Sequence, residues 1–258
     1  MRDQVIMITG ASAGIGAALA ETCASRGAKL VLLARRPEAL AEVAARCDTP
    51  TLTVSADVTR RADLERAVVA ALAEFGQIDV LVNNAGRGIS RPVTELSDED
   101  LDDMWLTNVK SVMYGVQAVL PHFRSRGRGQ IVNVSSVLGR VPFAGVRSAY
   151  SAAKHALNSL TANLRMELRP AGIDVTLVLP GVVATGFGTN ALHGGADSRT
   201  IPGAQAVEEV ATVIADVIEK PCAEVYTRPQ YKQMVTNYYS APDLAEVETR
   251  PPFVMPPR

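Results

Sequence analysis

Tyr150 and Lys154, four residues apart in the run YSAAK, have the types and the spacing for proton transfer. On a helix an i, i+4 pair shares one face. A phenol with an ordinary pKa of about 10 exchanges protons poorly near neutrality. A nearby ammonium favours the phenolate and lowers that value. Bringing it to about 7 takes roughly 4 kcal/mol, which one or two partly desolvated cations can supply. The same spacing is common on helix surfaces, so the pair carries meaning only with further groups around it.

A second candidate lies near the start of the chain. The apolar run Val5–Thr9 enters Gly10-Ala11-Ser12-Ala13-Gly14-Ile15-Gly16 and then a helical pattern. Glycines there permit a tight turn and close backbone approach to a phosphate, whose charge the free N–H groups of a helix start can receive. The spacing is GxxxGxG rather than GxGxxG, and its place between a strand and a helix gives it weight. Gly10, Ser12 and Gly14 also read as G-x-S-x-G, the elbow that presents a hydrolase serine, with Ser12 as nucleophile. In that fold several strands precede the serine, whereas here its strand comes first. His122, His155 and His193 also lack an evident acidic partner.

About 20 residues beyond such a turn, a carboxylate suits the ribose of NAD and an arginine suits the 2′-phosphate of NADP. Here the strand at 29–33 is followed by Ala34-Arg35-Arg36 without a carboxylate. Two guanidiniums match a phosphate in charge and fork geometry. NADP is therefore the expected cofactor and NAD the lesser alternative; a solvated basic turn is the plain reading. A cationic nicotinamide would add to the lysine in favouring the Tyr150 phenolate.

Alternating strands and helices are needed to hold these groups. Strands are expected at 5–9, 29–34, 51–55, 78–83, 130–135, 174–179 and 224–227. Helices are expected at 15–26, 37–46, 60–75, 98–126 with a break, 149–169 and 206–219. Continuous apolar runs such as Lys29–Ala34 fit strands covered on both faces. The pattern predicts an α/β fold, a Rossmann-like, doubly wound parallel sheet of about seven strands with helices on both faces. Ser97 before Asp98, Glu99 and Asp100 marks a helix start with carboxylates at the positive dipole end.

The whole of 1–258 is read as one dinucleotide-binding domain, with 186–203 as a mobile substrate loop. From Pro221 onward lie seven of the 15 prolines and four of the six tyrosines. Residues 228–258 are accordingly read as a Pro/Tyr-rich tail, either plain or packed on a neighbour, with 250–258 extended or disordered.

At 47% apolar and 21% charged residues the chain suits a soluble globular protein, and its net charge of −1 creates no field towards nucleic acid or anionic lipid. Three scattered cysteines (Cys23, Cys47, Cys222) without a CxxC pair suit a reducing cytoplasm, and no metal site is expected. No basic-then-apolar leader is visible. No apolar run approaches the roughly 18 residues of a membrane span.

Taken in order, the motifs resemble the short-chain dehydrogenase/reductase family, in its compact, non-extended branch, over nearly the whole length to about residue 227. TGASAGIG stands at 9–16, and Asp57-Val58 follows the third strand. Asn83-Asn84-Ala85-Gly86 follows the fourth, Asn108 lies on the long helix, and Ser135-Ser136 end the fifth strand. YSAAK stands at 150–154, and Pro180-Gly181-Val182-Val183-Ala184-Thr185 follows the sixth strand.

The resemblance implies that Tyr150 exchanges a proton with a carbonyl or alcohol oxygen and that Ser136 hydrogen-bonds it. It implies that Lys154 lowers the tyrosine pKa and holds the nicotinamide ribose, and that Asn108 anchors a water behind it. Thr9, Gly10, Ser12, Gly14, Ile15 and Gly16 would form the phosphate turn. Arg35 and Arg36 would meet the ribose phosphate, Asp57 and Val58 the adenine. Asn83, Ala85, Gly86, Pro180 and Gly181 would line the cofactor, with Val183 and Thr185 at the nicotinamide amide. Ser136 lies 14 residues before Tyr150, one more than is usual in the family, with Ser135 as the alternative.

A small carbonyl or alcohol is the implied substrate. Its pocket is expected from 138–143, from the residues after Gly86 and from the loop around Phe187. Leu138, Val141, Phe143, Val146, Ile89 and Phe187 favour an apolar substrate; Arg87, Arg91, Arg140, Arg147 and Arg199 would equally receive a carboxylate, and the choice stays open. A homodimer or homotetramer is implied, packed through the helices around Asn108 and after Tyr150, where Ala152, Ala153, Ala156 and Ala162 permit close approach. A cofactor-binding regulator on the same fold is the non-enzymatic alternative.

Overall fold

The computed structural model describes residues 1–253. Seven strands, β1 (Val5–Thr9), β2 (Lys29–Ala34), β3 (Thr51–Ser55), β4 (Val80–Asn83), β5 (Gly129–Val134), β6 (Ile173–Leu179) and β7 (Glu224–Tyr226), form one parallel sheet in the order β3-β2-β1-β4-β5-β6-β7. The order reverses between β1 and β4, and in such sheets the crevice at the carboxyl ends of the two strands is where ligands bind. The register Ile6↔Val80 and Ile8↔Val82 brings the end of β1 level with the end of β4. The turn after Thr9 thus meets the NNAG segment.

Helices cover both faces, as the continuous apolar strands require. On one side α1 (Gly14–Ser25), α2 (Pro37–Ala44) and α7 (Val207–Glu219) bury Leu19, Cys23, Leu40, Val210 and Ile214 against Ile6, Ile8, Leu30 and Leu32. On the other, α3 (Arg61–Phe75), α5 (Ser111–Arg126) and α6 (Ser148–Leu168) bury Leu64, Val116, Phe123, Leu157 and Leu164 against Val5, Met7, Val31 and Leu81. Each large side chain so buried contributes roughly 1.5–3 kcal/mol. No helix among the described residues is long and apolar enough to cross a membrane.

Three departures from the sequence reading have local causes. β4 begins two residues later than expected, since the Ile78 N–H is taken by His122 Nε2 at 3.1 Å. The long helix is broken where Asn108 sits: α4 (Asp98–Trp105) passes through a π turn (Leu106–Lys110) into α5. The Asn108 amide donates to the Met104 carbonyl at 3.1 Å, the group an ordinary α turn offers to the backbone N–H of that residue. The segment read as a tail instead folds into α8 (Pro229–Tyr239), with proline at its first turn, and α9 (Leu244–Glu248). Val235 and Tyr238 are buried against Val137, Val141, Leu177 and Leu179 of the same chain. Tyr238 stacks on Phe253, and residues 254–258 of the expected extended end lie outside the described residues.

Candidate active site

The glycine turn sits at the sheet crevice. Gly10 and Gly14 have φ of +67° and +54°, a region that side chains rarely enter. A Cβ on Gly16 would lie 2.3 Å from the Gly10 carbonyl, so the turn closes on itself only without one. Thr9 Oγ1 accepts from the backbone N–H groups of Asn84 and Ala85 at 3.0 and 3.1 Å, and Asn84 donates its side-chain amide to the Thr9 and Gly10 carbonyls. The helix start is left without a side-chain cap: Ala13 stands at the N-cap of α1. Its first N–H groups need an outside acceptor, and an anion is the natural one. The Thr185 methyl lies 3.2 Å from where a Gly14 Cβ would be, bringing the segment after β6 to the same turn. Ile15 and Ser12 are half-buried there.

Tyr150 and Lys154 lie on the buried face of α6, as the i, i+4 spacing predicts. Their electrostatics differ from the sequence expectation. Burial pushes the Tyr150 phenol up to about 12, against opposing pulls from the Ser136 hydroxyl and the Arg147 guanidinium. Burial also brings Lys154 down to about 7. Desolvation outweighs the lysine in the protein alone, because Nζ donates to the Val134 carbonyl at 2.9 Å and stands 5.7 Å from the tyrosine ring centroid. The Phe187 ring meets Tyr150 edge-on at 5.4 Å.

The two serines have separate surroundings. Ser135 Oγ donates to Asn158 Oδ1 at 2.6 Å within the core, whereas Ser136 faces the phenol and accepts from the Leu138 N–H at 3.1 Å. Ser136 is thus the serine beside Tyr150, while Ser135 is tied into the core. Asn108 is fully buried; its Oδ1 accepts from Arg87 N at 3.2 Å and its amide donates to the Arg87 carbonyl at 3.0 Å. A Cβ on Gly86 would stand 3.0 Å from Asn108 Oδ1 and 3.7 Å from Lys154 Nζ, so these three positions adjoin.

Other expected site residues are placed unevenly. Arg35 and Arg36 are exposed after β2 and pair with no carboxylate among the described residues. Asp57 turns back on its own loop, Oδ1 accepting from Thr59 N and Oγ1 at 3.0 and 2.7 Å, with Val58 half-buried beside it. The Asn83 side chain points away from the glycine turn: it donates to Asn133 Oδ1 at 2.9 Å, and its Oδ1 faces Gly115 on α5. The alternation of a strand sends residue 83 to one side of the sheet, and Asn84, which the sequence reading quoted but gave no role, holds the turn. Pro180 and Val183 are buried, the Gly181 N–H donates towards Gln205 Oε1 at 3.4 Å, and the Tyr231 ring packs directly on Gly181.

The loop between 185 and 203 is stitched to the segment after Gly86 by a parallel bridge, Ile89↔Leu192, and its ends by Val183↔Gln205. His193 Nε2 bonds Asp100 Oδ1 at 2.7 Å, and Arg91 bonds the other oxygen at 2.9 Å. That histidine, with the arginine and Ser97, holds the Asp100 carboxyl at about 2. Sequence spacing showed no acidic partner for a histidine; this one comes from 93 residues away. His122 bonds Ile78 and His155 the Ser151 carbonyl, so among the described residues no histidine serves Ser12.

Comparison with known proteins agrees with this fold. The profile of the short chain dehydrogenase family matches residues 4–194. An uncharacterized oxidoreductase of Staphylococcus epidermidis is 37% identical over 185 residues, 72% of this chain and 80% of that protein. A short-chain dehydrogenase from Streptomyces avermitilis superposes with a TM-score of 0.82 at 30% identity, covering 96% of both chains. The 3-ketoacyl-(acyl-carrier-protein) reductase from Brucella melitensis, solved in complex with NADH, superposes at 0.79 with 30% identity, covering 88% of this chain and 98% of that one. The chain belongs to the short-chain dehydrogenase/reductase family and is an oxidoreductase of that family.

Proposed function

We propose that the protein interconverts a carbonyl compound and its alcohol with a nicotinamide cofactor, preferring NADP(H), and that Tyr150 is the proton-transfer group. The observation that carries this reading is the meeting of Tyr150, Ser136 and Lys154 in one buried cluster beside Gly86. The nicotinamide, when bound, supplies the hydride donor or acceptor. The uncapped start of α1 and the turn from Gly10 to Gly16 fit its phosphates. Lys154, adjoining Asn108 and Gly86, would hold the ribose, and Val183 and Thr185 the amide end. Tyr150 gives a proton to the substrate oxygen in reduction and takes it back in oxidation, while Ser136 donates to the same oxygen as its charge develops. Following NADPH oxidation with a panel of ketones and aldehydes tests the reading; binding without any turnover would instead favour a cofactor-sensing regulator.

Cofactor choice rests on Arg35 and Arg36, exposed and free of carboxylate partners. NADPH is expected to bind more tightly than NADH in a nicotinamide-fluorescence titration, by roughly ten- to hundredfold, the range of charge-assisted hydrogen bonds. Equal affinities, or an Arg35→Ala, Arg36→Ala variant that keeps the preference, would overturn it.

Self-association is expected through α4 and α6. Leu101 and Trp105 are 48% and 47% exposed, and a shallow groove of about 210 Å³ runs between them and Ala149, Ala152 and Ala153. Ala152 is exposed and Ala156 and Ala162 half-buried, whereas Ala153 is already buried within its own chain. Light scattering at micromolar protein should give two or four times 27.4 kDa, and Trp105→Glu should lower it. The three cysteines are free, Cys222 being exposed, which supports a reducing, cytoplasmic setting.

A further inference from the structure

The structure separates the five arginines that the sequence placed near the substrate side. Arg87 stands 3.8 Å from Asp103, Arg91 is 2.9 Å from Asp100, Arg140 bonds Glu224 and Arg199 is 2.7 Å from Asp197. Arg147 has no carboxylate within reach among the described residues. Among the described residues its one side-chain hydrogen bond runs from Nη1 to the Ile89 carbonyl at 3.2 Å. A guanidinium carries five donors, and no nitrogen of this one is both buried and unpartnered, so its free donors face solvent, where an anion can take them.

Close neighbours connect the guanidinium to the reacting groups. Two glycines flank the guanidinium: a Cβ on Gly88 would lie 2.9 Å from Nη1, and one on Gly195 would lie 2.9 Å from Nη2. The same Gly88 position is 2.9 Å from the Phe187 ring, and Phe187 is the ring that meets Tyr150 edge-on. Arg147, Gly88, Phe187 and Tyr150 therefore form a continuous wall, with the guanidinium at one end and the phenol at the other. Leu192, bridged to the fully buried Ile89 and itself only partly buried, supplies apolar surface.

We propose that Arg147 is the specificity-determining residue for an anionic substrate: a carbonyl or alcohol compound bearing a carboxylate, which docks on this guanidinium while its reacting carbon lies at Tyr150. The inference rests on the oxidoreductase reading of the Tyr150 site and names its substrate class. Burial lowers the Arg147 pKa from its ordinary value, yet the group stays charged at every physiological pH. It acts as a fixed cation rather than as a switch.

Paired substrates that differ only in charge test the proposal. With NADPH, 4-carboxybenzaldehyde should be reduced with a kcat/KM roughly ten- to hundredfold above that of its methyl ester, the range of charge-assisted hydrogen bonds. Arg147→Gln should erase that advantage, bringing the acid-to-ester ratio of kcat/KM to about one, mostly through the KM of the acid; Arg147→Lys should keep part of it. A second arm needs no turnover. Benzoate should raise the melting temperature of the wild-type protein in the presence of NADP, benzamide should not, and Arg147→Gln should abolish the benzoate effect. If acid and ester are reduced equally and benzoate does not bind, the anion proposal falls and the oxidoreductase reading stands. If benzoate binds through Arg147 and no aldehyde is reduced, the anion site stands and the Tyr150 chemistry falls.

Discussion

Tyr150→Phe is expected to lower turnover by about two to four orders of magnitude, the usual contribution of a positioned acid–base group. The substitution removes one oxygen and keeps the ring that packs on Phe187 at 5.4 Å within the cluster of Ile89, Met104 and Ala149. The fold should therefore survive, and NADPH affinity should stay near wild type, because the glycine turn and the arginines after β2 are untouched. The direction of the phenol pKa sharpens the test. Burial holds it at about 12 in the protein alone, so the neutral phenol is the resident form and donation in the reductive direction needs no prior ionisation. Oxidation, which needs a proton acceptor, should rise with pH into the alkaline range, whereas reduction should not. Ser136→Ala should reduce turnover by about 10²–10³, as loss of one donor to a developing oxyanion does. Ser135→Ala should chiefly reduce stability, since its partner is Asn158. A Tyr150→Phe protein that keeps most of its activity, or loses it only by unfolding, would overturn the mechanism.

The glycine turn, the YSAAK helix and the doubly wound sheet were legible because each follows from a local rule. Glycine spacing between a strand and a helix sets the turn, i, i+4 spacing sets the helix face, and unbroken apolar strands set a sheet covered on both sides. Asn83 and Asn84 show where such rules stop. Both are asparagines at a strand end, and only the register of β4 against β1 and β5 decides that residue 83 faces Asn133 and residue 84 faces Thr9. The π turn at Asn108 was equally hidden, since the bond from its amide to the Met104 carbonyl leaves no periodic signal. The C-terminal segment misled through composition. Pro229 reads as a breaker but occupies the first turn of α8, where a missing N–H does no harm, and Tyr238 packs inward on Val137 and Leu179. The pairing of four arginines and the isolation of Arg147 depend on partners such as Glu224, 84 residues from Arg140. No spacing rule reaches that far.

Lys154→Met should cost activity while leaving the unliganded fold as stable as wild type, or more so, at neutral pH. Burial brings the lysine pKa from 10.5 down to about 7, so between those values the unfolded chain holds a proton that the folded chain has released. Stability must then rise as pH climbs through that window, and the penalty is fully present below it. At about 1.4 kcal/mol per unit the penalty is roughly 3–5 kcal/mol. Methionine removes it and fills the space of the alkyl stem, but strands the Val134 carbonyl that Nζ serves at 2.9 Å, at a cost of about 1–3 kcal/mol. The first effect exceeds the second near pH 7 and vanishes above pH 10.5. The decisive quantity is the difference in unfolding free energy between variant and wild type, measured by denaturant titration from pH 6.5 to 9. It should shrink steadily with pH in the direction that favours wild type. Over the same range NADPH affinity should fall roughly two- to tenfold through loss of the ribose hydrogen bond, and turnover should fall further still. A variant whose stability tracks wild type at every pH would show that the lysine is solvated in the folded protein. A variant with normal NADPH affinity would remove the lysine from the cofactor site and leave Tyr150 without its proposed neighbour.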